Sequence, residues 1–229
     1  MNTNHKFTSN RNLTELTDGV NKGLLDIYIH HNHPLATEYL NINGRVITNA
    51  VKDHPRTSAF RFDLRLPPYF NDFDFPGISY GEAIKRFIAF LYEQIKKDVG
   101  IKNEKWNQGN RKCTPRYIWT KEIAGGKCYH YHFFLFLNKD LYHSLGDYNS
   151  NENTLGKMII KAWERAIDVD FIRAKGLVHF PKNPIHYINQ NSETYIDEYL
   201  DVYGRASYFA KVVTKTYGDN SRNYGYSLN

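Results

Sequence analysis

Apolar and polar positions alternate most regularly over residues 59–66. Phe60, Phe62, Leu64 and Leu66 share one face, and Arg61, Asp63 and Arg65 share the other. That period of two predicts a half-buried strand, which Pro67 and Pro68 end. Ser79 followed by Glu82 reads as a capping box. It opens a predicted helix with Ile84, Phe87, Ile88, Leu91, Ile95 and Val99 at helical spacing, closed by Gly100. Two β-rich runs, 116–122 and 129–137, flank Gly125 and Gly126 and predict a hairpin. Asn153 or Thr154 then caps a second helix with Leu155, Met158, Ile159, Ala162, Trp163, Ala166 and Ile167 inward. Leu177–Phe180 reads as a short strand, and a last helical region runs from about Arg205 to Thr216.

This order, β–α–ββ–α–β and a helix, predicts an α+β chain. Its expected architecture is a split βαβ, ferredoxin-like antiparallel sheet with helices packed on one face and chemistry on the other. Residues 1–50 read as a partly helical extension, with a short helix near Leu13–Tyr28. His30, His31 and His33 beside Pro34, and the Asn41–Gly44 stretch, read as loops. Residues 51–229 form the expected principal domain.

Composition narrows the classes. The chain has 229 residues with 41% hydrophobic content, enough for one core and too much for a disordered chain. No apolar run approaches the roughly 18–20 residues that span a bilayer. The first residues lack the apolar stretch of a signal peptide, and Cys113 and Cys128 supply no disulfide framework. A reduced, cytoplasmic protein without a membrane partner is expected. A net charge of +6 with 15% aromatics suits a partner that is a polyanion with flat rings to stack. Six of those basic residues, including Lys112 and Arg116, fall within 102–121 against one acid, Glu104.

His130 and His132 stand two apart on a predicted strand, so both imidazoles leave one face. Glu122 lies eight residues earlier, across the turn. A two-residue loop would set Glu122 opposite Tyr129, on the wrong face. A three-residue loop, Gly125–Lys127, sets it opposite His130 and brings the three donors together. Two imidazoles and a carboxylate suit Mg²⁺ or Mn²⁺ and would also accept Zn²⁺, with Cys128 as a further donor on the same face. Downstream, Tyr208, Lys211 and Lys215 fall at i, i+3 and i+7, one stripe of the expected last helix, with Ala206, Phe209 and Val213 turned inward.

His130-Tyr131-His132 on a strand, followed far downstream by Tyr208-Phe209-Ala210-Lys211, resembles the HUH endonucleases, the rolling-circle replication initiators and relaxases. Arg56 before 60–65, Arg205 through Tyr208, and Tyr224 through Ser227 are similar to the YagK/YfjJ group of inovirus and prophage-borne proteins. The resemblance covers roughly residues 50–227. It implies a replication initiator that nicks and rejoins single-stranded DNA at an origin. Glu122, His130 and His132 would hold the metal, Mg²⁺ or Mn²⁺. Tyr208 would form a 5′-phosphotyrosine link, assisted by Lys211. Nucleic-acid contacts are expected of Arg61, Arg65, Lys112, Arg116, Arg205 and Lys215. The expected partners are single-stranded DNA or an origin hairpin and a host helicase and polymerase, because the chain has no nucleotide-binding Gly-Lys-Ser/Thr loop. The competing readings are a non-catalytic DNA- or RNA-binding module on the same fold, and a zinc-dependent hydrolase using Cys128, His130 and His132.

Overall fold

The computed structural model describes residues 34–67, 70, 78–106, 110–124, 128–149, 152–213, 215 and 221–227. The expected helix near Leu13–Tyr28, the run His30 to His33 and the loop Gly125–Lys127 lie outside them. The alternating segment forms strand β1 (Arg56–Arg65), and the two β-rich runs form β2 (Arg116–Ala124) and β3 (Cys128–Asn138). Strands β1 and β2 both pair antiparallel to β3, one on each side of it. They are therefore parallel to each other and joined by helix α2 (Tyr80–Trp106), which is the expected split βαβ unit in an α+β fold.

The sheet is completed by β4 (Val178–His179) and β5 (Ile185–Asn189), both on the free side of β1, and by β6 (Tyr224–Tyr226) on the far side of β2. On one face, α2 and α3 (Leu155–Ile167) pack over Phe60, Phe62, Leu64 and Phe133. The rings of Phe62, Phe87, Phe133 and Trp163 meet there in stacked and edge contacts. Thr154 caps α3 by accepting a hydrogen bond from the Lys157 amide at 3.3 Å. A short helix α4 (Phe171–Leu177) leads into β4.

The opposite face is also covered, by α1 (Thr37–Asp53) and α5 (Tyr195–Ser207). The expectation of helices on one face alone is corrected here, and the cause lies in β3. Its two faces carry Tyr131, Phe133, Leu135, Leu137 and, on the histidine side, Phe134 and Phe136. A strand apolar on both faces must be buried on both. Phe134 and Phe136 pack with Ala59, Ile118, Val46, Ile47 and Val202. At the end of this face that bears the histidines, the turn after α5 sets Tyr208 and Phe209 against His132.

Two local expectations change for related reasons. Asn41–Gly44 is helical, and a boundary at residue 50 would fall inside α1. Leu40, Asn43, Val46, Ile47, Ala50 and Val51 make one buried stripe, and the Asn43 amide donates to the Ala206 carbonyl at 2.9 Å. The α2 helix runs past Gly100 to Trp106, because Gly100 is exposed with open space around it, so nothing forces a cap. Lys102 continues the helix with an ion pair to Asp98 at 2.8 Å and a bond to the Leu141 carbonyl at 3.0 Å. Among the described residues no helix is long and apolar enough to cross a membrane.

Candidate metal centre and tyrosine turn

The hairpin register decides the site. Ala124 pairs with Cys128, so three residues close the turn and Glu122 faces His130 across the ladder. His132 pairs with Asp63 on β1, and His130 with Arg65. Glu122, His130 and His132 each place a donor atom within 4.8 Å of the others. His132 Nε2 lies 3.1 Å from His130 Nε2 and 3.3 Å from Glu122 Oε2. Ligands about 2.0–2.1 Å from a shared ion sit roughly 3.0–3.4 Å apart, so these separations fit a common cation. Glu122 is buried, and its Oε1 has no hydrogen-bond partner, an unsatisfied acceptor beside two imidazole nitrogens.

The electrostatics keep these groups ready to ligate. Burial pushes the Glu122 carboxyl up, but the hydrogen bond and charge of His132, with Lys215 and Lys211 behind it, outweigh that and hold its pKa near 2. Burial, then the neighbouring His132, lowers His130 to about 4, so its ring is neutral at ordinary pH. Asp63 holds His132 from the other side, 2.7 Å from Nδ1. It is itself paired with Arg61 and lies 3.4 Å from His179 Nδ1. Burial raises the Asp63 carboxyl, yet His132 and Arg61 keep it well below the usual carboxylate range. Where an ion takes the place of the Nε2 proton shared with Glu122, an Nδ1–H donated to Asp63 leaves Nε2 as the lone-pair nitrogen, the tautomer a metal ligand needs. Arg61 Nη2 also lies 2.9 Å from that Nδ1.

Tyr208 arrives differently from the expected helical stripe. The last helix starts at Tyr195, ends at Ser207, and gives way to a 3-10 turn, Tyr208–Ala210. Beyond it Val212 is buried and Val213 is 51% exposed, reversing the expected inward position of Val213. The turn still carries Tyr208 to the histidines: its ring stands edge-on to His132 with centroids 5.7 Å apart. Lys211 Nζ lies 3.3 Å from the centre of the Tyr208 ring. Lys215 does not extend a surface stripe. It is buried, and Nζ donates to the Phe209 carbonyl at 2.9 Å and to the Lys211 carbonyl. Burial lowers its pKa to about 7, against the opposing pull of Glu122.

The remaining basic residues divide. Arg61 and Arg65 stand on the face of the metal cluster, Arg65 exposed beside His130 and Arg61 resting 5.0 Å over the Phe209 ring. Arg116 lies at the other end of β2, roughly 20 Å from Glu122 by strand rise, with its guanidinium 2.7 Å from Asp53. Lys112 is exposed at that same end, and Arg205 is exposed on α5. The Cys128 side chain lies outside the described structure. Asp63 and His179 were not anticipated as site residues. The signal for Asp63 was its place between Arg61 and Arg65 on the polar face of β1; the two-residue β4 carries no periodic signal for His179.

The chain resembles two proteins of Escherichia coli (strain K12). One, described as uncharacterized protein YfjJ, is 35% identical over 193 residues, covering 80% of this chain and 90% of that protein. The other, uncharacterized protein YagK, is 34% identical over 197 residues, covering 83% of this chain and 92% of that protein. No solved structure gives a significant match. The model of the YagK/YfjJ C-terminal domain matches residues 17–227, which takes in α1 and the sheet as well as both parts of the site. The chain belongs to the YagK/YfjJ C-terminal domain family.

Proposed function

We propose that this protein is an HUH-type single-strand DNA endonuclease and strand transferase, a rolling-circle replication initiator. The observation that carries the reading is that Glu122, His130 and His132 converge with Tyr208 on one face of the sheet. A divalent ion, Mg²⁺ or Mn²⁺, held by the three donors would polarise the scissile phosphodiester. The Tyr208 phenol oxygen attacks phosphorus, an O–P ester forms, and the bond to the 3′ oxygen breaks. The phenol proton is lost to solvent and the leaving 3′ oxygen takes one up, giving a 5′-phosphotyrosine and a free 3′-OH. Lys211 Nζ sits 3.3 Å from the centre of that ring, where its charge would assist the phosphate that Tyr208 attacks. Asp63 keeps His132 in its ligating tautomer, and Arg65 offers a cation to the strand beside His130. The ester retains the energy of the cleaved bond, so a 3′-OH can reverse the step without ATP. Priming from that 3′-OH would involve a host helicase and polymerase.

The test is incubation with Mn²⁺ and a pool of mixed-sequence single-stranded oligonucleotides carrying a 3′ label. A denaturant-stable labelled adduct that Tyr208→Phe abolishes is the expected result. Binding without adduct at any sequence would favour the non-catalytic module. Stoichiometric zinc that EDTA removes, with no adduct, would favour a zinc hydrolase.

A further inference from the structure

A groove runs along the β6 edge of the sheet, between α2 and strands β2 and β6, and shares no lining residue with the metal cluster. It comprises two adjoining cavities of about 580 and 340 Å³ that share Ile88, Tyr117, Arg222, Gly225 and Tyr226. Each is within the size range of sites that hold a small molecule or a few linked groups. The half-buried Tyr92, Tyr117 and Tyr226 supply its rings, with the buried Trp119 and Tyr224 behind them. Lys85 and Arg222 are both exposed along it, and Arg116, paired with Asp53, stands at one end. No carboxylate is among the described residues lining either cavity. The floor depends on Gly225, which pairs with Trp119 across the ladder. A Cβ there would come within 2.3–2.5 Å of the indole, so any side chain would displace the ring from the groove wall.

We propose that this groove binds single-stranded nucleic acid, with bases stacked on the tyrosines and phosphates paired with Arg222 and Lys85. A channel lined by Lys85 and Arg222, with no acid among its described lining residues, selects a polyanion. Three partly exposed tyrosines add what an acidic peptide would not use, surfaces for flat rings, and stacking on them is tolerant of sequence. The inference goes beyond cleavage and stands whether or not Tyr208 forms an ester, because none of the groove's lining residues belongs to the metal cluster or the tyrosine turn. In a nicking enzyme it would hold the strand outside the scissile step.

The experiment uses the full chain as Tyr208→Phe in EDTA, so that neither metal nor covalent capture contributes. Anisotropy of a labelled mixed-sequence oligonucleotide of about 20 nucleotides reads the affinity. Lys85→Glu with Arg222→Glu is expected to weaken binding about tenfold or more, and to lower the salt slope by about 1.4, two phosphate contacts at about 0.7 each. Arg173→Glu with Lys182→Glu, an equal charge change at exposed positions elsewhere, should alter affinity by less than about threefold. An abasic strand of the same length should bind about tenfold more weakly than the base-bearing one. Equal losses in the two charge variants, or equal binding of the abasic strand, would overturn the proposal. Displacement by polyglutamate as effective as by the oligonucleotide would also overturn it and reassign the groove to an acidic protein. Loss of nicking activity with the groove result intact would sink the proposed reaction alone.

Discussion

The metal cluster and the tyrosine turn face one another but are held by different means. Glu122, His130 and His132 stand on two strands locked by a continuous antiparallel ladder from Arg116–Phe136 to Ala124–Cys128. Tyr208 stands on a single 3-10 turn that no ladder holds. Separate ties fasten that turn: the Ala36 amide donates to the Ala210 carbonyl at 2.9 Å, the Val212 amide to Pro34 at 3.1 Å, and Lys215 to two carbonyls. Short 3-10 segments have poorer hydrogen-bond geometry than α-helix and depend on their surroundings. The donors are thus preorganised by the sheet, while the phenol is positioned by chain segments distant in sequence. In the proposed reaction, a site divided in this way would keep a cation in place while Tyr208 adjusts as it enters and leaves an ester.

The sharpest break of that comparison comes from removing one half at a time. Tyr208→Phe should abolish the covalent adduct while Mn²⁺ affinity, measured by calorimetry, stays within about twofold, because the phenol is not among the three clustered donors. His132→Ala should remove both, with metal affinity down about 100-fold or more. If Tyr208→Phe loses the metal as well, the halves are one unit and the comparison fails.

A smaller effect is expected behind the cluster. Asp63→Asn keeps the shape but weakens the acceptor at His132 Nδ1, and should cost about 10–100-fold in metal affinity. Adduct formation at saturating Mn²⁺ should recover most of its rate. Failure to recover would place Asp63 in the tyrosine half as well.

Next in size is the tie on the turn. Lys215→Met removes the donor to Phe209 and Lys211, and loss of such bonds at about 1–1.5 kcal/mol should slow the adduct step roughly tenfold. Metal affinity should change less than about twofold. The same residue sets a pH dependence. Its folded pKa is about 7 against an ordinary 10.5, so the unfolded chain holds the proton more tightly between these values. Stability therefore carries the full penalty below about pH 7 and rises toward pH 10.5. Urea unfolding across that window should show the rise, and Lys215→Met should flatten it. A slope unchanged in the variant would remove Lys215 as its source.

The smallest effect is at the rim. Arg65→Ala should lower single-strand affinity a few-fold and the salt slope by about 0.7, one phosphate contact. Arg205→Ala, exposed on α5, should change less than about twofold if the strand passes the β1 side of the cluster.

What could be read from the linear chain follows the same division. The β1 alternation and the inward face of α3 with its Thr154 cap are consequences of local period, whereas the sequence left two turn lengths open and the Glu122–His130 register was the one a shared ion required. Helix α1 was obscured by its asparagines and Gly44, where Asn43 and Gly44 find partners distant in sequence, on α5 and β6. The Asn43 amide reaches Ala206, and the Gly44 carbonyl accepts from the Tyr199 hydroxyl at 3.1 Å. The continuation of α2 past Gly100 and the early end of α5 were equally hidden, because a glycine in open space caps nothing and Tyr208 itself favours no break.

By itself the sequence determined the order β1, α2, β2, β3, α3 and β4, the β3 face on which the imidazoles lie, and the register condition that the acid had to satisfy. Those follow from backbone geometry, where a period of two or 3.6 turns spacing directly into direction. Only the tertiary structure decided that a second helical layer covers the histidine face and that Asp63 bonds His132. It also decided that Lys215 is buried as a tie on the Tyr208 turn, and not displayed on a surface stripe. These depend on contacts between residues far apart along the chain, whose energies are set by burial and partner geometry that no local pattern encodes.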